Sequence, residues 1–502
     1  MLKRALCLIL CVLCTAVPLT GCKDGAKDDV SDTAASENNI DPNSMTVVKN
    51  GRVVPTAYYQ NPLEGSAADP MILKSGDTYY LYSTGGEKLS VRSSTDLVNW
   101  GNKKTIFNLT TNTTWGVEKC WAPEVYEYKG KFYLFFCGTG KDKIFHGSVA
   151  VCDTPDGTFK PITEKPLLNF NYSVIDLSFF LDDDGRTYIF YSKDCSTNKV
   201  NGKGTSQTWA VEVSNDFTQL LCDPVFISTP QESWELESGG TVWNEGPVVF
   251  KENGKYYLLY SANYYQSANY CVGYAVSDTV LSFYEKPSGK SGRLLYGNGE
   301  TITGCGHCNI MRSEGEIYVV YHSHTVPPNT DKGRSLYIDK LVIKEDGSLY
   351  VDGPTNTKQP VPNGVNGYYK YDGEVTITGN LTKEQDLSIL RDEILPKGAA
   401  GFITLEDSDT ITLTFSEGQS FDNMWVYSTT LEKTYEIASM DIMVNGQYLY
   451  DDIKFTGAGS APIINFANLP KGTLITEITF QFTKADGAKA SGIGEIVFTT
   501  KK

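Results

Sequence analysis

Five times along the chain a turn glycine opens a short aromatic and aliphatic run: "GDTYYLYST" from Gly76, "GKFYLFFCG" from Gly130, "GRTYIFYSK" from Gly185, "GKYYLLYSA" from Gly254 and "GEIYVVYHS" from Gly315. The intervals are roughly 55 to 70 residues, the period of propeller blades or another repeat array. The segment before each glycine is also alike: "DPMILKSG", "APEVYEYKG", "DLSFFLDDDG", "EGPVVFKENG" and "HCNIMRSEG". Each reads as an apolar strand running into a polar turn, so every unit contains a β-hairpin. No stretch places apolar residues at helical spacing. The fold class predicted is therefore all-β, and the repeat over residues 51–360 suggests a five-bladed β-propeller or another repeat array.

At or near the start of each first strand stands one polar residue: Asp69, Glu124, Asp176, Glu245 and His307. If that strand is innermost in its blade, all five crowd one end of the central channel. In a ring of five, Asp69 on the first blade and Glu245 on the fourth face each other across the mouth, with Asp176 beside Glu245. A carboxylate flanked by another and partly removed from water has its pKa raised, which suits a general acid near neutral pH. Taken singly, Asp-Pro and Glu-Gly-Pro are ordinary turn sequences. "LDDDG" reads as an acidic turn, because it lacks the ligand spacing of a calcium loop. His146, His322 and His324 read as structural.

These motifs, in this order and together with "WAPEVYEYKGKFYLFF", resemble glycoside hydrolase family 43 from about Tyr59 to Pro354. The family comprises inverting enzymes on five-bladed propellers acting on arabinose- and xylose-containing polysaccharides. The resemblance implies Asp69 in "AADPMI" as general base, Glu245 before Gly-Pro as general acid, and Asp176 in "VIDLSFFLDDDG" as the residue that tunes and orients the acid. "GCGHCN" is similar to the motif whose His faces the channel, so His307 is implied beside a structural calcium, another metal or a water; the chemistry itself requires no cofactor. Cys305 and Cys308 depart from the family pattern there. Arg334, shortly before the closing strand, is implied as substrate-binding; Trp121, with Glu124 nearby as a second substrate-binding candidate, is either a stacking face for a sugar ring or an aromatic filling the blade core. The expected function is hydrolysis of arabinosyl or xylosyl linkages in arabinan, arabinoxylan or xylan oligosaccharides. A fructan-acting five-bladed glycosidase is the alternative, though its Asn-Asp-Pro-Asn-Gly and Arg-Asp-Pro motifs do not appear. A surface sugar-binding propeller without catalysis is the other.

The chain starts with Lys3, Arg4 and an apolar run to Val17, then "LTGC". This reads as a signal peptide over 1–21 followed by a lipobox, with the lipid on Cys22 and a cell-surface lipoprotein as the product. Residues 22–50 are acidic and poor in large apolar side chains, a tether. Without Lys3 and Arg4 the 44 basic residues fall to 42 against 60 acidic ones, a formal charge of −18 that makes nucleic acid a poor partner. Membrane contact is expected only through the anchor, and the body is expected as a monomer. Eight of the twelve cysteines lie beyond Cys22, an even set that permits disulfides. "CGHC" has no second Cys or His pair with which to hold zinc.

After "NTKQPVPNG" the repeat stops. Residues 361–502 carry strand candidates such as "DTITLTFSE", "NMWVYSTT" and "LITEITFQFTK", predicting a β-sandwich whose ending resembles galactose-binding-like jelly rolls. Trp425, Tyr427, Tyr448 and Tyr450 are either a sugar platform or core there.

Overall fold

The computed structural model describes residues 47–49, 52–54 and 56–502, apart from 238–239, 328, 399, 432 and 458. The signal peptide, Cys22 and the tether up to residue 46 lie outside the described residues. Five four-stranded antiparallel sheets follow one another along the chain, each built from consecutive sequence. Their first strands are Met71–Ser75, Gly116–Tyr128, Val174–Leu181, Asn244–Glu252 and Gly306–Ser313. All five repeat glycines adopt left-handed φ, between 59° and 86°. No neighbour lies within 4 Å of a Cβ built on any of them, so backbone conformation alone requires glycine there. At Lys129-Gly130, Asn253-Gly254 and Glu314-Gly315 both central residues have positive φ. Such two-residue turns match the twist of a hairpin.

Between blades the aromatic runs bury against each other, as in the layer of Phe135, Phe179, Ile189 and Tyr191 between blades 2 and 3. The ring closes without an exchanged blade strand. Residues 63–67 lie along the third strand of blade 5 before the chain enters blade 1: the Leu63 amide donates to the Leu336 carbonyl (2.8 Å) and the Ala67 amide to that of Arg334 (2.9 Å). Tyr58–Tyr59 pairs with Gln359–Pro360, and Val361 and Val365 bury in the seam between blades 5 and 1.

The strands from Tyr368 onward form two five-stranded antiparallel sheets around one apolar core. Trp425 and Tyr427, offered above as a platform or core, are buried: they pack with Ala57, and the Tyr427 hydroxyl donates to Gln359 Oε1 (2.9 Å). They join sandwich to propeller. Tyr448 and Tyr450 pack against the sandwich core.

Candidate active site

At the mouth of the channel each inner strand is broken at the same place. Asp69, Ala122, Asp176, Gly246 and His307 all have φ between 46° and 56°. In blades 2 to 5 the pairing register shifts across that residue, so the backbone bulges and presents its side chains to the centre. The equivalence expected from sequence is therefore offset at two of the five positions. Glu245 stands one residue before its bulge and corresponds to Trp121. Glu124 stands two residues after its own, and so one layer deeper.

Each bulge carries a buried amide that needs a partner, and the preceding blade supplies it from a side chain. Thr84 Oγ1 accepts from Ala122 N–H (2.8 Å), Asp176 Oδ2 from Gly246 N–H (3.0 Å) and Ser261 Oγ from His307 N–H (2.7 Å). His322 Nδ1 accepts from Asp69 N–H (3.3 Å), and the Cys137 thiol meets the Asp176 amide. A Cβ at Gly246 would lie 3.2 Å from His307 Nδ1, so the closeness of blades 4 and 5 also requires glycine.

The carboxyls at this ring differ sharply. Burial alone would raise Asp69, but Arg334, His307, His322 and Thr84 hold it well below the usual carboxylate range. Arg334 Nη1 donates to its Oδ1 (2.6 Å) and Thr84 Oγ1 to its Oδ2 (2.6 Å). Glu245 is pushed well above that range, first by burial, then by the charges of Asp176 and Asp194. Tyr270 donates to Glu245 Oε1 (3.1 Å). Asp176, buried, is raised to about 6. Glu124, also raised by burial, to about 8, accepts from Tyr126, whose hydroxyl lies 3.2 Å from Ser178 Oγ. The arrangement thus sets an ionised carboxylate and a protonated one at a common mouth, as acid–base cleavage requires.

Arg334 lies within the third strand of blade 5, Asn329–Ile343, rather than ahead of it, and its guanidinium is committed to Asp69. Trp121 is half-buried, its ring 4.7 Å from that of Phe145. His307 Nδ1 is 3.5 Å from Asp69 Oδ1. His307 brings a single imidazole, and among the described residues no three His, Cys, Asp or Glu side chains group as metal ligands. That donor set does not fit a metal held by protein side chains. Cys305 and Cys308 are free thiols buried in the apolar layer between blades 4 and 5, and all eight described cysteines are unpaired. Asp182 of "LDDDG" accepts from Lys251 Nζ (2.8 Å) and Tyr256 (2.6 Å), tying blades 3 and 4.

Sequence reading missed Thr84, Tyr270 and His322 as parts of the site. Thr84 is the last residue of "YYLYST" and His322 the last but one of "YVVYHS", so the repeated runs contain both. Tyr270 ends the loop between the second and third strands of blade 4, outside both repeated motifs.

Residues 59–349 match the family described as glycosyl hydrolases family 43. The chain is 28% identical over 313 residues to beta-D-galactofuranosidase xynD of Aspergillus niger, covering 58% of this chain and 83% of that one. It is 26% identical over 362 residues to an extracellular exo-alpha-(1->5)-L-arabinofuranosidase of Streptomyces avermitilis, covering 66% and 72%. Among solved structures, a thermostable family-43 glycoside hydrolase is 39% identical, with a TM-score of 0.58 over 61% of this chain and 99% of its own. An endo-1,4-beta-xylanase of Bacteroides thetaiotaomicron is 30% identical, with a TM-score of 0.51 over 59% and 98%. The match spans all five blades and every carboxylate of the mouth, and on it the chain belongs to the glycosyl hydrolases of family 43, a glycosidase.

Proposed function

We propose that the chain hydrolyses arabinosyl or xylosyl linkages of plant cell-wall polysaccharide with inversion at the anomeric carbon. The observation that carries this is the opposite displacement of two carboxyls at one mouth, Asp69 held ionised and Glu245 held protonated. Glu245 gives its proton to the glycosidic oxygen as the bond to the anomeric carbon breaks. A water on the opposite face, losing a proton to Asp69, forms the new bond there. Asp176 keeps Glu245 protonated by its charge and aligns it through the bond to the Gly246 amide. Trp121 offers a ring face to the sugar, Arg334 holds the base in place, and Glu124, largely protonated below pH 8, is a hydrogen-bond donor deeper in the channel.

The substrate class is supported by the relatives, one named an arabinofuranosidase and one a xylanase. Glu245→Ala is expected to lower kcat on arabinan or xylan oligosaccharides by a factor on the order of 10² to 10⁴. Proton NMR of the first product formed by the unmodified chain should show the inverted anomer. Wild-type turnover by Glu245→Ala, or a retained anomer, would overturn the assignment.

Export with a lipid on Cys22 is part of the same reading, supported by "LTGC" and by a relative named as extracellular. Mass analysis of the mature N-terminus checks it: an unacylated terminus excludes the anchor. The working unit is read as a monomer, with the whole mouth supplied by one chain.

A further inference from the structure

Three aromatic rings stand together from the start of the strand that carries the acid to the guanidinium that holds the base, and nothing in the acid–base step uses them. Trp243 lies two residues before Glu245. Asn244 between them is wholly buried and turns the other way, onto Ser228 Oγ (3.1 Å), Lys286 Nζ (2.8 Å) and Glu235 Oε1 (3.0 Å). Trp243 immediately precedes the strand Asn244–Glu252, and Val242 before it is bridged to Thr205, so the backbone is extended there and residues 243 and 245 share the side opposite Asn244. The Trp243 ring is 5.3 Å from that of Tyr264, which is 5.0 Å from that of Tyr265. Tyr264 and Tyr265 are 39% and 38% exposed. The Arg334 guanidinium, which holds the base, lies 5.1 Å from the Tyr265 ring centre.

The loop carrying the tyrosines, "NYYQSANY" from Asn263 to Tyr270, is fixed along its length. Asn263, at φ 71°, donates from Nδ2 to the carbonyls of Trp234 (2.9 Å) and Asn269 (3.2 Å). The Ser267 amide donates to the Tyr264 carbonyl (2.7 Å), and His324 Nε2 bonds the Tyr265 carbonyl (3.1 Å). The loop ends at Tyr270, which donates to Glu245. Single exposed aromatics are common on protein surfaces, whereas contiguous ones held rigid at a cleft mark a binding surface. The flat apolar face of a ring suits the C–H face of a sugar, and its being held beforehand lowers the entropic cost of binding.

We propose that Trp243 and Tyr264 form the subsite for the sugar ring on the leaving-group side of the scissile bond, with Tyr265 bracing that wall against Arg334. The side follows from the chemistry. The oxygen that departs is the one Glu245 protonates, so the ring bearing it lies next to Glu245 and its strand neighbour Trp243. The inference rests on the glycosidase reading above and deepens it by naming the residues that hold the leaving-group sugar.

The test compares a pentosyl oligosaccharide with the matching pentosyl fluoride, which has no leaving-group ring. In the full chain, Tyr264→Ala and Trp243→Ala should each lose kcat/KM about tenfold more on the oligosaccharide than on the fluoride, while Tyr264→Phe stays within about twofold of wild type on both. Should the alanine variants fail to fold, Trp243→Phe takes their place and should show the same imbalance in smaller degree. Equal losses on both substrates, or no loss on the oligosaccharide, would overturn the subsite and leave the glycosidase standing. An unmodified chain that turns over neither substrate would overturn the glycosidase reading and the subsite with it.

Discussion

Asp176 and Arg334 act on opposite limbs of one pH profile. The charge of Asp176 raises Glu245, so Asp176→Asn, whose amide oxygen can still accept from Gly246 N–H, should let the acid ionise at lower pH. The basic limb of kcat/KM then moves down, by about one pH unit or more for an adjacent charge. Arg334 works the other way. It leads the groups that hold Asp69 below its usual range against the effect of burial, so Arg334→Met should move the acidic limb up and lower kcat/KM at pH 5 more than at pH 7. Rate profiles between pH 3 and 9 on a pentosyl oligosaccharide check both. A shift of the same limb in the two variants would contradict the division of roles.

The inner strand of a blade is a bulge first and a catalytic holder second. Its left-handed residue turns an amide toward the preceding blade, which answers with a side chain from the end of its second strand or, at Gly246, with Asp176 itself. Ser261→Ala strips the acceptor from the buried His307 amide. It should cost about 1–3 kcal/mol in urea unfolding and lower kcat through the displaced His307, whereas Ser261→Thr should restore most of both. This repeat was legible in the sequence as far as its glycines, its aromatic runs and the five polar strand starts. The offset of Glu245 and Glu124 was not, because period-2 alternation carries no sign of one extra residue. Nor was Tyr270, since a loop residue reaches the acid through a path that no local pattern encodes. His322, at a position where Thr84 and Ser261 also bond the next blade, could have been read from the repeat.

On the scale of the whole molecule, the joint between propeller and sandwich contains charge as well as aromatic contact. Lys370, in the first strand of the sandwich, reaches back to Glu316 of blade 5, donating to Oε1 (2.8 Å) and Oε2 (2.9 Å), and also to the hydroxyl of Tyr318 (3.0 Å). Glu316 is 8% exposed; burial would raise its pKa, but Lys370 and Lys340 together hold it below the usual range. A carboxylate depressed on folding adds stability that is present above its unfolded pKa, about 4.3, and is lost as pH falls toward its folded value. Lys370→Met leaves Glu316 with Lys340 at 3.7 Å as its remaining cation. The variant should therefore lose about 1–3 kcal/mol at pH 7, and the loss should shrink as pH falls from about 4.3 toward the folded value, where Glu316 takes up a proton even beside Lys370. A chain ended at Pro360 removes Lys370 together with Val361 and Val365, which fill the seam where the ring closes. It should unfold at a lower temperature than Lys370→Met at every pH, because missing apolar packing does not titrate. Denaturation of the three chains at pH 3.5, 5 and 7 checks this, and a truncated propeller as stable as the full chain would mean that ring closure draws nothing from the sandwich side.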